Sequence, residues 1–273
     1  MCRWLAYSGA PIYLDEVLFK TDHSLIDQSL RALDTTNTTN GDGFGIGWYG
    51  SRELPGVYKD IRPAWNDHNL QALAAQIESP MFLAHVRATT GSAVQRTNCH
   101  PFNHDKWLFL HNGLVNDYAK LRRDLMLAIS PELFPLIQGT TDSEILFLLA
   151  LTFGLEGDVQ AGLSRMAGLV EQVAAQHGVP DALQLTVGLS DGKSLYAVRY
   201  STARKSRSLF HSADRDATME IAPEAGRFSR DARAIVSEPL NNLEADWVAV
   251  PESSFLTITS GAITCEPFAP IPP

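Results

Sequence analysis

Cysteine is scarce in this 273-residue chain, which contains only Cys2, Cys99 and Cys265. Three widely spaced cysteines cannot build a disulfide framework, and they favour free thiols in a reducing compartment. The chain also lacks a basic start followed by an apolar run, and no stretch approaches the roughly 18 apolar residues of a membrane helix. We therefore predict a cytoplasmic protein with no signal peptide and no membrane segment.

Positive charge is also in deficit. Lysine and arginine number 22 against 31 aspartate and glutamate residues, which gives a formal net charge of -9. A general nucleic-acid binder needs a basic surface to displace counterions, so the charge argues against that class. A small anionic substrate held by one or two local arginines remains compatible with it.

Internal repeats and low-complexity blocks are absent as well, and we predict a single domain over residues 1–273. The glycine-rich stretch GDGFGIG, residues 41–47, does not match the phosphate loop G-x-x-x-x-G-K-[ST]. Short apolar stretches bounded by turn residues predict strands near both ends, and helical periodicity is concentrated in the first half and the middle. This order does not fit a βαβαβ fold and favours two antiparallel sheets with helices on their outer faces.

Cys2 stands directly after the initiator methionine. Cysteine is small enough to permit removal of Met1, and the thiol then belongs to the N-terminal residue. The sequence must show whether this cysteine is a nucleophile or a start-site residue without a role.

The stretch FLAHVRATTG, residues 82–91, predicts a buried strand that ends at Arg87. The planar fork of an arginine suits bidentate binding of a carboxylate. The alternative is a surface arginine that merely closes the strand, and the spacing alone favours this alternative.

The stretch LFLHNGLVND, residues 108–117, predicts an apolar strand that runs into Asn112 and Gly113. Asn-Gly is a strong signal for a tight turn, so a turn is the default interpretation. The alternative is functional, because a side-chain amide and a backbone N–H at one corner can form an oxyanion hole.

The stretch GTTDSEILFLL, residues 139–149, predicts a helix capped by Thr141 or Asp142, with Glu144 in its first turn. A capping role is enough to explain the presence of Asp142. The alternative is that Asp142 faces the ammonium group of a substrate.

These pieces, in this order after Cys2, resemble the glutaminase domain of class II (Ntn-type) glutamine amidotransferases. NGDGFGIGWYG, NCHPF and SEPL also resemble pieces of that family, so the similarity extends from Cys2 to at least Leu240. The resemblance implies an α+β fold, a four-layer αββα sandwich of two antiparallel sheets known as the Ntn hydrolase fold.

The resemblance also implies a mechanism. Cys2 attacks the side-chain amide carbon of glutamine, ammonia leaves, and water hydrolyses the resulting thioester. The freed α-amine of Cys2 serves as the base, with a reference pKa of about 7.7–8.0. The Asn112 side-chain amide and the Gly113 N–H hold the oxyanion.

Substrate contacts follow from the same resemblance: Arg87 binds the α-carboxylate, Asp142 binds the α-ammonium, and Thr90 adds a hydrogen bond. No cofactor and no metal are implied. The long synthases of the family have an aromatic residue and a histidine where this chain has Ala88 and Gly91. We therefore expect a wider pocket mouth, and a γ-glutamyl compound larger than glutamine becomes a candidate substrate.

This chain is short, begins with MCR and carries GDGFGIGWY. In these features it resembles the subgroup that includes the γ-glutamyl hydrolase of ergothioneine biosynthesis. No synthase or phosphoribosyl-transfer domain is expected after the glutaminase domain. Two alternatives stay open beside a hydrolase: an ammonia-donating subunit of a separate synthase partner, and a non-catalytic module that binds a glutamyl group.

A zinc site is a further rival, because four potential ligands lie close together in the sequence. They are Cys99, His100, His104 and His111. Their spacing contains no paired C-x-x-C, and adjacent Cys99 and His100 would point to opposite faces of a strand. We therefore predict no metal and assign these residues a supporting role.

Overall fold

A computed structural model describes residues 2–31, 39–89, 91–213 and 229–273. Its strands all pair antiparallel and form two sheets. The strands are β1 (Arg3–Tyr13), β2 (Phe44–Tyr49), β3 (Gly56–Asp60), β4 (Glu78–Val86), β5 (Phe102–His104), β6 (Trp107–Val115), β7 (Leu183–Ser190), β8 (Ser194–Ser201), β9 (Phe210–Ser212), β10 (Arg233–Val236), β11 (Trp247–Ala249), β12 (Ser254–Thr259) and β13 (Ala262–Pro267).

The first sheet has the strand order β11-β9-β10-β1-β4-β2-β3, and the second has the order β13-β12-β8-β7-β6-β5. The helices of the described residues are α1 (Asp15–Leu18), α2 (Leu25–Leu30), α3 (His68–Ala74), α4 (Tyr118–Leu127), α5 (Asp142–Thr152) and α6 (Val159–Gln176). The first three helices pack on the first sheet, and the last three pack on the second.

Alternation along the strands separates the core into layers. On β1, Leu5 and Tyr7 pack against the first helix layer, whereas Trp4 and Ala6 face the second sheet. A Cβ atom on Gly188 would lie 2.8 Å from the Trp4 ring, so this glycine lets the two sheets approach closely. The architecture is a four-layer αββα sandwich, which confirms the predicted fold class.

Two helices of the second layer, α5 and α6, begin directly after a capping residue. Thr141 accepts a hydrogen bond from the Glu144 N–H at the start of α5, and Asp158 accepts one from the Ala161 N–H at the start of α6. Almost every residue of α5 is buried, because the helix lies between the second sheet and its neighbours α4 and α6. None of the helices in the described ranges has the length and apolar character that crossing a membrane requires.

The default interpretation of Asn112 and Gly113 as a tight turn is wrong. Strand β6 continues through both residues to Val115, and β7 pairs with it along the whole stretch. A Cβ atom on Gly113 would overlap the carbonyl oxygen of Gln184, so glycine is required here for close strand contact and not for a turn. The sequence pattern also does not predict four short elements of three to five residues each, which are α1, β3, β5 and β11.

Candidate active site

The pairing of β1 with β4 in the first sheet brings Cys2 close to Arg87. Arg3 at the start of β1 pairs with Val86 at the end of β4, so the residues before Arg3 and after Val86 lie together. Both Cys2 and Arg87 line a cavity of about 80 Å³. Asn112, Gly113 and Asp142 of the second sheet and its helix layer line the same cavity. Thr90, the remaining predicted site residue, lies outside the described residues.

The thiol of Cys2 contacts the backbone of Ala88. The Ala88 N–H donates to Sγ at 3.4 Å, and Sγ lies 3.5 Å from the Ala88 carbonyl oxygen. Burial raises the pKa of the Cys2 thiol, and the Ala88 hydrogen bond offsets this only in part. The thiol is therefore protonated at neutral pH and needs a base to become the reactive thiolate.

The Cys2 carbonyl oxygen is held by two side chains. Asn112 Nδ2 donates to it at 2.7 Å and Arg3 Nη1 at 3.0 Å, and Arg3 is itself paired with buried Glu238. An amide nitrogen carries two hydrogens, so Asn112 retains a second N–H. The side chain thus fixes the cysteine and keeps a donor at the cavity.

Strand geometry orients the Gly113 N–H. Val115 donates its N–H to Asp142 Oδ2 at 2.8 Å, whereas Asn116 donates to the Ala182 carbonyl on the β7 side. Backbone groups of a strand alternate in direction, so the Gly113 N–H points to the same side as that of Val115, away from β7. This places a backbone donor at the cavity near the Asn112 amide.

The carboxylate of Asp142 sits at the first position of α5. It accepts hydrogen bonds from the backbone N–H groups of Val115 at 2.8 Å and Ser143 at 2.7 Å. The helix N-terminus adds a favourable partial positive charge. These contacts fix the orientation of a negative charge at the cavity wall.

The guanidinium of Arg87 is buried, with 3% of the residue exposed. Its hydrogen-bond acceptors are neutral oxygens: the Asp42 carbonyl at 3.2 Å, Thr89 Oγ1 at 3.4 Å, Ser92 Oγ at 2.6 Å and the Ala93 carbonyl at 3.2 Å. Within the described ranges, no carboxylate forms an ion pair with Arg87. A buried cation without an anionic partner is costly, so this arginine is suited to bind the carboxylate of a ligand.

Three buried histidines surround the cavity, and sequence reasoning did not assign them to the site. His100 and His111 line it, and the ring centroid of His85 lies 4.2 Å from that of His100. Burial lowers the pKa of all three rings, that of His85 to about 3. His111 Nε2 lies 3.1 Å from the Gln184 carbonyl oxygen, which only accepts, so Nε2 carries the hydrogen. These rings are neutral at working pH.

The potential zinc ligands do not assemble. Cys99 and His100 precede β5 instead of lying within a strand, and Cys99 is buried with Sγ 3.5 Å from the Asp60 carbonyl oxygen. In the part of the chain that the structure describes, no three His, Cys, Asp or Glu side chains converge as a metal site. All three cysteines are free thiols.

We expect the buried histidines to make folding stability depend on pH. The folded pKa of His85, about 3, lies below the value of about 6.5 for an unfolded chain. The unfolded state therefore binds more protons between these values, so the stabilisation is present above about pH 6.5 and is lost as pH falls. From pH 7 to pH 5 this one group should cost about 2 kcal/mol of unfolding free energy.

Urea unfolding of the protein and of the variant His85→Gln at pH 7 and pH 5 measures this effect. The variant should lose less stability between the two pH values, whereas exposed His68→Gln should behave as the unmodified protein does. Equal losses in all three proteins would contradict the assignment.

Two antiparallel sheets packed face to face, with helices outside and β1 inside the first sheet, define the Ntn class of sandwich folds. The family described as "Glutamine amidotransferases class-II" matches residues 18–271. The chain belongs to the class II glutamine amidotransferase family.

Relatives and solved structures agree with this assignment. The probable glutamine amidotransferase DUG3 of Saccharomyces cerevisiae is 33% identical over 98% of this chain and 84% of its own length. The gamma-glutamyl-hercynylcysteine sulfoxide hydrolase of Mycobacterium tuberculosis is 24% identical over 97% of this chain and 95% of its own length.

Among solved structures, a glutamine aminotransferase class-II domain protein of Silicibacter pomeroyi has a TM-score of 0.74 at 33% identity, covering 98% of this chain and all of its own. Glutamine phosphoribosylpyrophosphate amidotransferase of B. subtilis has a TM-score of 0.67 at 14% identity, over 98% of this chain and 49% of its own. At this identity the second likeness concerns the fold alone.

Proposed function

We propose that this protein is an amidohydrolase that releases ammonia or an amine from glutamine or a γ-glutamyl amide through a thioester on Cys2. The observation that carries the proposal is the buried Arg87 cation, which lacks a carboxylate partner in the described residues and shares one cavity with Cys2 and Asp142. A cation and an anion that line one cavity match the two charges of an α-amino-acid head group.

The chemical steps follow from the contacts of the cavity. The α-amine of Cys2, exposed when Met1 is removed, takes the thiol proton, and Sγ attacks the δ-carbon of the glutamyl group. The developing oxyanion is held by the second N–H of Asn112 and the N–H of Gly113. The C–N bond breaks, the proton passes to the leaving nitrogen, and water then cleaves the C–S bond to release glutamate.

Substrates larger than glutamine are compatible with the surroundings of the cavity. It adjoins a more open cavity of about 600 Å³, and the two share Ser92, Leu114, Thr141 and Asp142. A Cβ atom on Gly91, which lines the larger cavity, would have no neighbour within 4 Å. Since one relative is named as a hydrolase of a γ-glutamyl compound, we include γ-glutamyl amides in the substrate class.

Glutamate release from L-glutamine and a panel of γ-glutamyl amides, by protein that begins at Cys2, tests the proposal. We expect turnover of at least one compound and its loss in the Cys2→Ala variant. Slow turnover of glutamine alone, accelerated by a separate synthase, would instead identify an ammonia-donating subunit. Absence of any Cys2-dependent release would refute the proposed reaction and leave a glutamyl-binding module.

A further inference from the structure

A separate cavity of about 250 Å³ shares no lining residue with the two cavities near Cys2. It lies between β3 and β5, the edge strands of the first and the second sheet, and α5 forms another wall. Strand β3 contributes Lys59, β5 contributes Phe102, and α5 contributes Phe147 and Leu148. The proposed reaction at Cys2 gives this cavity no role.

The side chain of Lys59 is directed from the first sheet toward the second. Gly45 of β2 pairs with Lys59, and a Cβ atom on Gly45 would lie 2.8 Å from the lysine Cγ. The glycine therefore leaves room for the lysine stem to lie across β2. Lys59 Nζ donates to the Pro101 carbonyl oxygen at 3.3 Å and lies 5.7 Å from the centre of the Phe102 ring. The ammonium group is thus held at the cavity wall.

The charge of this ammonium group has no anion in contact with it. In the ranges that the structure describes, no carboxylate lies within 4.0 Å of Lys59 Nζ. An ammonium group has three donors, and the Pro101 carbonyl takes one of them. Burial lowers the pKa of Lys59, which shows that its surroundings disfavour the charge. An anionic ligand would relieve this cost.

Two acidic residues line the same cavity, and neither occupies the place of such a ligand. Buried Glu144 accepts hydrogen bonds from the backbone N–H groups of Gln138 at 2.9 Å and Gly139 at 2.8 Å, one on each oxygen. The side chain of Asp105 is 72% exposed, so solvent screens its charge. The donors of Lys59 therefore remain available at the cavity.

The remaining walls of the cavity include four apolar side chains, which are Phe102, Leu136, Phe147 and Leu148. Small-molecule sites typically combine such apolar walls with a few polar groups that fix the orientation of the ligand. Here the orienting group is one ammonium. This combination favours a ligand with a single carboxylate and an apolar body over a small hydrophilic anion.

We propose that this cavity is a second ligand site that binds a small monocarboxylate with an aromatic or aliphatic body. The carboxylate contacts Lys59, and the body packs against Phe102, Leu136, Phe147 and Leu148. The site is distinct from the one proposed for the glutamyl group and does not depend on the reaction at Cys2.

Phenylacetate and phenylacetamide test the proposal, because they have the same shape and differ in charge. We expect both to shift the methyl NMR signals of Leu136 and Leu148, with Kd about 10- to 100-fold lower for phenylacetate, the range of a hydrogen bond to a charged group. Acetate, which lacks the ring, should bind more weakly than phenylacetate. Lys59→Met keeps the apolar stem and should abolish the difference between acid and amide, whereas exposed Lys193→Gln should preserve it.

The methyl signals of Leu114, which lines the Cys2 cavity, report whether the carboxylate binds there at Arg87 instead. Shifts at Leu114 alone that persist in Lys59→Met would refute the second site. Equal affinity for acid and amide, or no saturable shift at Leu136 and Leu148, would also overturn it. Lys59 would then be an inward-facing charge that protects the β3 edge from pairing with another chain. None of these results bears on the hydrolase activity proposed for Cys2.

Discussion

Glutamate release should rise by about 10²- to 10⁴-fold when an N-terminal fusion is cleaved directly before Cys2, which is the range that a positioned general base supplies. Before cleavage the α-nitrogen belongs to a peptide bond and cannot accept the thiol proton. The Cys2 thiol needs such a base because burial raises its pKa. The same polypeptide before and after proteolysis is its own control, so differences in folding or purification are minimised.

The pH dependence of the cleaved protein checks the identity of the base. Its kcat/KM should increase with pH through an apparent pKa near about 7.7–8.0, the reference range of an α-amine, because only the unprotonated amine accepts a proton. A fusion of the Cys2→Ala variant should stay inactive before and after cleavage. An uncleaved fusion with full activity would exclude the α-amine as the base and direct attention to another acceptor.

The fold was largely predictable because its strong elements are long enough to show their periodicity. The 18-residue helix α6 carries both an apolar stripe and its N-cap Asp158. The edge strands β3, β5 and β11, of three to five residues each, were missed because so few positions cannot distinguish an edge strand from a loop. Short-range patterns do not show which face of a strand packs against the other sheet. The contact between Trp4 and Gly188, for example, joins segments that are far apart in the sequence.

The candidate site was predictable only in part. Cys2, Arg87 and Asp142 stand in stretches with a recognisable order, whereas the buried His85 and His100 carry no local signal of their position at the cavity. Local rules also misassigned Asn112 and Gly113 to a turn, because the pairing of β6 with β7 overrides the preference of the dipeptide. Gly113 is needed for contact with a strand some seventy residues away, which no short-range pattern records.

Replacement of Asn112 by alanine should lower kcat by about 10²- to 10³-fold with little change in KM. The amide donates to the Cys2 carbonyl at 2.7 Å, and its second N–H is the donor we assign to the oxyanion. The oxyanion exists only near the transition state, so its loss should reduce kcat and kcat/KM alike. Asn103→Ala, at an exposed position of β5, makes the same side-chain change away from the cavity and should leave both parameters unchanged.

Because Asn112 also holds the Cys2 backbone, the kinetic result needs a second variant to separate the two roles. Arg3 Nη1 donates to the same Cys2 carbonyl at 3.0 Å, so part of the restraint on the nucleophile survives in Asn112→Ala. Asn112→Asp keeps the size of the side chain but replaces the donor with a negative charge beside the developing oxyanion, so it should be at least as damaging as alanine. Higher activity in the aspartate variant, or a rise in KM with kcat preserved, would show that Asn112 positions substrate and does not stabilise the oxyanion.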